Sequence, residues 1–214
     1  LASHSVEAHL EHGLARTVVE EVFENTSDET LEGTLTFPIP QGATVSELVL
    51  WVGEEPVRAE MVEKNRAKAI FTGIVDDTVR PRDPALLELK NGQLISLSIF
   101  PIPARSKRKV RLAFDSVLPE VNGRGHYEYP FSKSTPLGFM SLRVRLEGAC
   151  DVKPLSLSPR LEQDAAGTTL LLEQSASSPS ESLRVDYARG GACGGEQERA
   201  GFTQLLESQA DAGA

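Results

Sequence analysis

Four histidines, two cysteines and a scatter of acids are the residues in this chain of 214 whose types could do chemistry. His4, His9 and His12 fall in one stretch that alternates like a strand, and His126 stands alone. On a strand, residues of like parity share a face, so His4 and His12 could hold a metal together while His9 points away. The simpler reading is exposed strand histidines. Serine and threonine are plentiful, but no histidine is spaced from one to suggest a nucleophile with its base. Cys150 and Cys193 with a histidine lack a standard zinc spacing, and the two thiols either form one disulfide or stay free. Asp76, Asp77 and Asp83 could offer oxygens to Ca²⁺, which takes six to eight, but no EF-hand-type loop surrounds them. The simpler reading ties these acids to Arg80 and Arg82 as a surface pairing. Gly190-Gly191 and Gly194-Gly195 do not follow a strand in a phosphate-loop pattern. No pair of groups suited to acid–base catalysis stands out, so the expectation is a non-enzymatic protein without cofactor or metal.

Composition narrows the partners. A net charge of -9 disfavours nucleic acid, because phosphate contacts need clustered Lys and Arg. One basic run, Arg105-Ser-Lys-Arg-Lys-Val-Arg111, could form an anion patch, but a solvated strand end is the simpler reading. No stretch of 18 apolar residues occurs, so no membrane-spanning helix is expected. No signal peptide is visible. The chain begins at Leu1 and is expected to be a piece of something longer.

The elements that must position these residues read as β almost throughout. Alternating or β-branched runs predict strands at 6–10, 15–24, 31–37, 45–52 and 57–62. Asn25-Thr-Ser-Asp-Glu-Thr30 is a turn and also spells a glycosylation sequon at Asn25. Gly53-Glu-Glu-Pro56 reads as a tight turn. Ala67, Ile70, Phe71 and Ile74 fall on one helical face, which predicts a helix over about 63–76. Asn91-Gly92 predicts a hairpin between 85–89 and 93–100. Strands at 109–117, 126–130, 139–147, 152–157, 168–173 and 182–187 complete the series. Their spacing points to a mainly β fold, a β-sandwich of antiparallel strands with one inserted helix. Residues 188–195 read as a Gly-rich linker. Beyond them 197–209 offers a short amphipathic helix with Phe202, Leu205 and Leu206 on one side.

The run of motifs resembles the VIT domain, the vault protein inter-alpha-trypsin domain. The resemblance rests on Leu14-Ala-Arg-Thr17, Phe23-Glu-Asn25, Leu31-Glu-Gly33, Phe37-Pro-Ile-Pro-Gln-Gly42, Leu50-Trp-Val-Gly53, Val62-Glu-Lys64 with Ala67, Arg82-Asp-Pro-Ala-Leu-Leu-Glu88 and Phe100-Pro-Ile-Pro103. It covers roughly residues 5 to 120 and implies a domain over 1–120. Residues 121–187 then supply additional strands packing with it, and 188–214 form linker and tail. In this family the domain usually precedes a von Willebrand factor A domain, a pairing associated with extracellular matrix and adhesion. The metal-ion adhesion motif of that second domain, Asp-x-Ser-x-Ser, does not occur here; Asp115-Ser116-Val117-Leu118 is the nearest approach.

The resemblance implies a protein–protein interaction module of a larger surface or secreted protein, with a cytoplasmic setting still open. Its partner is expected to be a von Willebrand factor A domain in the same full-length chain or an extracellular protein. The partner face is expected at the inserted helix and the 80–88 turn, through Arg80, Arg82 and Leu86. Trp51 is either a core aromatic or, if exposed, an interface anchor. The alternative is a self-assembling scaffold that uses the tail residues Phe202 and Leu205.

Overall fold

Alternation of apolar and polar side chains sets where the strands bury. The computed structural model describes residues 1–58, 85–90, 94–131 and 136–193. An eight-stranded sheet is the base of the fold. It contains β1 (Ser3–Glu11), β2 (Leu14–Glu24), β4 (Thr44–Val52), β5 (Glu55–Arg58), β8 (Lys107–Val117), β11 (Leu137–Glu147), β13 (Arg160–Asp164) and β14 (Gly167–Ser177), in the order β13-β14-β11-β1-β2-β8-β4-β5. A four-stranded sheet contains β9 (Glu120–Val121), β10 (Arg124–Tyr129), β12 (Ala149–Pro154) and β15 (Leu183–Arg189). A three-stranded sheet contains β3 (Leu31–Pro38), β6 (Ala85–Lys90) and β7 (Leu94–Ile102). The mainly β sandwich expected from the sequence is therefore the observed fold class.

The two smaller sheets cover one face of the large one. Tyr127 and Tyr129 of β10 and Leu183 and Val185 of β15 pack with Val6, Leu10, Val19, Leu142 and Val144 in one core cluster. Leu97 and Ile99 of β7 pack on Leu50 and Val110 in a second. Full burial of each such side chain contributes about 1.5–3 kcal/mol. β11, β13 and β14 thus extend the sheet that strands of the first 120 residues begin.

Several junctions differ from the sequence reading. β11 joins β1 in parallel, with His4 opposite Met140 and Leu10 opposite Leu146, whereas antiparallel strands were expected throughout. A parallel neighbour needs a long crossover, and here β2 to β10 lie between the two. Gly53-Glu-Glu-Pro56 is not all turn: the strand resumes at Glu55, and Pro56 lies opposite Trp51. Pro56 fits there because β5 is, among the described residues, an edge strand with no ladder on its far side. β9 and β13 were not foreseen, and β15 runs on through Arg189 before a 3₁₀ turn over Gly190–Cys193. The predicted helix at 63–76, Arg80 and Arg82, and the tail with Phe202 and Leu205 lie outside the described residues.

Two turns explain their own sequence. His12 and Gly13 have φ of 50° and 74° between paired Glu11 and Leu14. Positive φ at both central residues is the mirror-image turn that matches strand twist. Asn122 and Gly123, at 54° and 71°, repeat the device between β9 and β10.

Candidate functional site

The face of the eight-stranded sheet opposite the two smaller sheets, uncovered among the described residues, is the surface on which functional side chains gather. Its residues follow from parity. The buried face takes His4, Val6, Ala8 and Leu10 of β1 and Ala15, Thr17, Val19 and Glu21 of β2. The alternate residues Ser5, Glu7, Val18, Glu20 and Val22 therefore point outward. From β8 the same face receives Lys107, Lys109, Arg111 and Asp115.

Trp51 reaches this face through a register shift. Val45 lies opposite buried Phe114, so an unbroken strand would turn residue 51 inward with residue 45. The ladder slips between Val45 and Glu47, after which Leu48 and Leu50 oppose Leu112 and Val110. Such an irregularity re-aims every later side chain. Trp51 emerges half-buried on the outer face with the Lys109 Nζ 4.5 Å from its ring centroid. A cation in that position is attracted by the ring face, by about 0.5–1 kcal/mol at exposed sites.

The charges here are paired across strands. The Lys109 Nζ lies 2.9 Å from Glu20, Lys107 lies 3.5 Å from Glu24, and Arg16 lies 3.5 Å from Asp115. Arg111 and Arg16 each come within 3.9 Å of Glu47. Arg105, off the sheet, donates to Asp28 at 2.8 Å, and this bond holds the Asp28 carboxyl below its ordinary range. The basic run over 105–111 is thus a set of surface pairs, each worth little alone. Between these pairs a cleft of about 140 Å³ opens, lined by Ser5, Glu7, Val18, Glu20 and Arg111. The Ser5 hydroxyl meets that of Ser141 at 2.7 Å.

A second polar cluster sits on the other side of the same strands and is closed to solvent. His4 Nδ1 lies 2.6 Å from Glu21 Oε1, and His4 Nε2 lies 3.0 Å from the Tyr129 hydroxyl. Tyr129 stacks edge-on to Phe131. Burial raises the Glu21 carboxyl above its ordinary value, against the opposing pull of His4. Burial, and then the nearby Glu21 carboxylate, push the Tyr129 hydroxyl well up. His4 is only 6% exposed and Glu21 only 3%, so this acid–histidine–tyrosine line lies in the interior. Its geometry suits it to tie β1 and β2 to β10. For His4 this corrects the expectation of exposed strand histidines, which holds for His9, His12 and His126. The structure also parts His4 from His12, whose side chain is 84% exposed in the β1–β2 turn.

Other sequence-based candidates have definite places. Leu86 lies in β6 opposite Ser98, so its backbone is on an edge strand of the small sheet. Cys150 and Cys193 form a disulfide with Cα atoms 5.6 Å apart, which leaves neither thiol for a metal. Asn25 of the sequon is itself buried: its Nδ2 donates to the carbonyls of Glu29, Ile102 and Pro103 at 2.7, 2.9 and 3.1 Å. Its Oδ1 accepts from Ser27 N–H and Oγ–H at 2.9 and 2.7 Å.

Residues 1–114 match the family model of the vault protein inter-alpha-trypsin domain. The chain belongs to the VIT family. No curated protein sequence matches this VIT chain. Its fold is similar to that of a protein described as nutrient binding from Legionella pneumophila, with a TM-score of 0.58 at 10% identity over 87% of this chain and 66% of that one. It is also similar to an M1 zinc metallopeptidase from Deinococcus radiodurans, with a TM-score of 0.50 at 11% identity over 88% of this chain and 41% of that one. The VIT chain therefore spans less than two thirds of either protein, and at such identity the likeness is one of fold. Among the described residues of the VIT chain, no helix is long and apolar enough to cross a membrane.

Proposed function

We propose that this VIT domain is a non-enzymatic interaction module whose partner docks on the open face of the eight-stranded sheet. The observation that carries this reading is Trp51, turned outward by the register shift in β4 and held under Lys109. A large, rigid aromatic at a surface is a common anchor of a binding site. Around it the cross-strand ion pairs form a polar rim, and the 140 Å³ hollow at mid-sheet can take one side chain of the partner. The partner is a von Willebrand factor A domain of the same full-length chain, or failing that an extracellular protein. The closed His4–Glu21–Tyr129 cluster supports a non-catalytic role, because its titratable groups hold sheets together. The Cys150–Cys193 disulfide supports a secreted or surface location.

The test is calorimetric titration of the chain against a von Willebrand factor A domain. Trp51→Ala is expected to weaken binding by about 30-fold, the equivalent of roughly 2 kcal/mol for an anchor residue. Unchanged affinity in both Trp51→Ala and Val22→Asp, with the fold intact by circular dichroism, sinks the open face as the docking surface.

A further inference from the structure

We propose that the hollow at mid-sheet recognises a carboxamide side chain, glutamine or asparagine, of the partner protein. This rests on the reading that a partner docks on the open face and names what that partner inserts. The five residues lining the hollow are one block on three adjacent strands. Arg111, Glu20 and Ser5 stand side by side across β8, β2 and β1. Val18 and Glu7 stand side by side in the next row of the same face. Neighbouring strands are about 4.8 Å apart, so the side chains share one opening. Its volume of about 140 Å³ is below the roughly 300 Å³ at which pockets begin to enclose a drug-sized ligand. One amino-acid side chain is the size of guest it admits.

The polar groups of the hollow are unmatched in a particular way. Arg111 Nε is buried, yet it has no acceptor among the described residues. The ion-pair partner of Arg111, Glu47 at 3.9 Å, is beyond hydrogen-bond distance. A buried donor without an acceptor is rare and calls for an explanation. Glu7 has neither a hydrogen bond nor an ion pair among the described residues, although Arg143 lies opposite it in β11. Glu20, in contrast, is already paired with Lys109 at 2.9 Å. Ser5 and Ser141 share a hydrogen bond of 2.7 Å, which uses one hydroxyl hydrogen and leaves the other free to donate.

A guanidinium that lacks an acceptor and a carboxylate that lacks a donor select the guest. An acidic side chain would satisfy Arg111 but would meet Glu7 and Glu20 with like charge. A basic one would satisfy Glu7 but would meet Arg111. Like-charge contacts of this kind act against a partner. An apolar side chain would leave both groups unmade. A carboxamide carries an acceptor oxygen and two N–H donors on one neutral group. Its oxygen can accept from Arg111 while its nitrogen donates to Glu7. Val18, half-buried between them, offers apolar contact to the methylenes of the guest.

The experiment is amide NMR titration of the full chain with the N-acetyl methylamides of glutamine, glutamate and lysine. The three probes share their backbone amides, so any difference between them comes from the side-chain terminus. The glutamine probe is expected to move the resonances of Ser5, Glu7, Val18, Glu20 and Arg111 and to leave those of Leu155 and Leu161 in place. The glutamate and lysine probes are expected to bind at least about tenfold more weakly, the worth of one charge-assisted hydrogen bond. Arg111→Met and Glu7→Met, both on the sheet surface, should each weaken the glutamine probe by about the same factor. Equal binding of all three probes, preference for a charged one, or no shift with any of them up to about 100 mM, far above a millimolar Kd, overturns the proposal. So does a glutamine probe that ignores both substitutions. The probes need no partner protein, so their failure strikes this inference alone. A partner that ignores Trp51→Ala strikes the docking reading and leaves the probe titration standing.

Discussion

Glu21→Gln separates the charge of the buried cluster from its shape. Glu21 is 3% exposed, and its Oε1 meets His4 Nδ1 at 2.6 Å while its Oε2 has no partner among the described residues. Burial raises its pKa above the ordinary 4.5. The sign comes from linkage. Between 4.5 and the raised value, the folded state keeps a proton that the unfolded chain has released. Stability from this group is thus fully present below 4.5 and is lost as pH rises through the folded pKa. Each unit of separation corresponds to about 1.4 kcal/mol. Glutamine keeps the volume and the bond to His4 without the ionisation. Near pH 4.5 the variant should lie within about 1 kcal/mol of the parent, the net worth of one hydrogen bond. Toward pH 8 it should become the more stable of the two. The assay is urea unfolding of both proteins from pH 4.5 to 8, with the difference in ΔG plotted against pH at constant m. Parallel curves would refute the reasoning, because they would mean that Glu21 holds its protons equally in both states. His4→Ala supplies the opposite arm. It strips the carboxylate of its partner and should cost about 3–5 kcal/mol at pH 8, falling to about 1–3 kcal/mol where the carboxyl is neutral.

Three other substitutions or treatments test the same geometry. The disulfide closes a sequence separation of 43 residues; by the loop-entropy relation its loss should cost about 4 kcal/mol, read as a lower urea midpoint after reduction, with no free thiol in the native protein. Asn25→Ala leaves three carbonyls without their donor and should cost at least about 2 kcal/mol, seen in a thermal melt. Intact mass from a glycosylating host should accordingly show Asn25 unmodified. Gly125→Ala sets a methyl 2.5 Å from the Tyr187 ring, which is buried with its hydroxyl on Glu120; about 1–3 kcal/mol of overpacking and a changed near-ultraviolet tyrosine signal are expected.

Much of this was legible from the residues alone. Period-two alternation placed most strands, because a half-buried strand must alternate. The VIT motifs gave the family, which the match over 1–114 bears out. The buried place of His4 was also legible: it shares even parity with Val6, Ala8 and Leu10, so the face that buries them buries it too. The short strands β9 and β13 were harder. Every residue of β13 is exposed, so no hydrophobic alternation announces it, although the Asn122-Gly123 turn after β9 was a signal in plain view.

Local sequence thus determined which segments are extended and which of their faces is apolar, since both depend on neighbours within a few residues. The parallel seat of β11 beside β1 was settled only when strands more than a hundred residues apart met. So were the His4–Tyr129 contact and the bonds from Asn25 to Ile102 and Pro103, in each case because the second group is remote in sequence. Trp51 is the sharpest instance. Its side chain turns outward because β4 slips one residue against β8 between Val45 and Glu47, and register is a property of the pair of strands, not of either one.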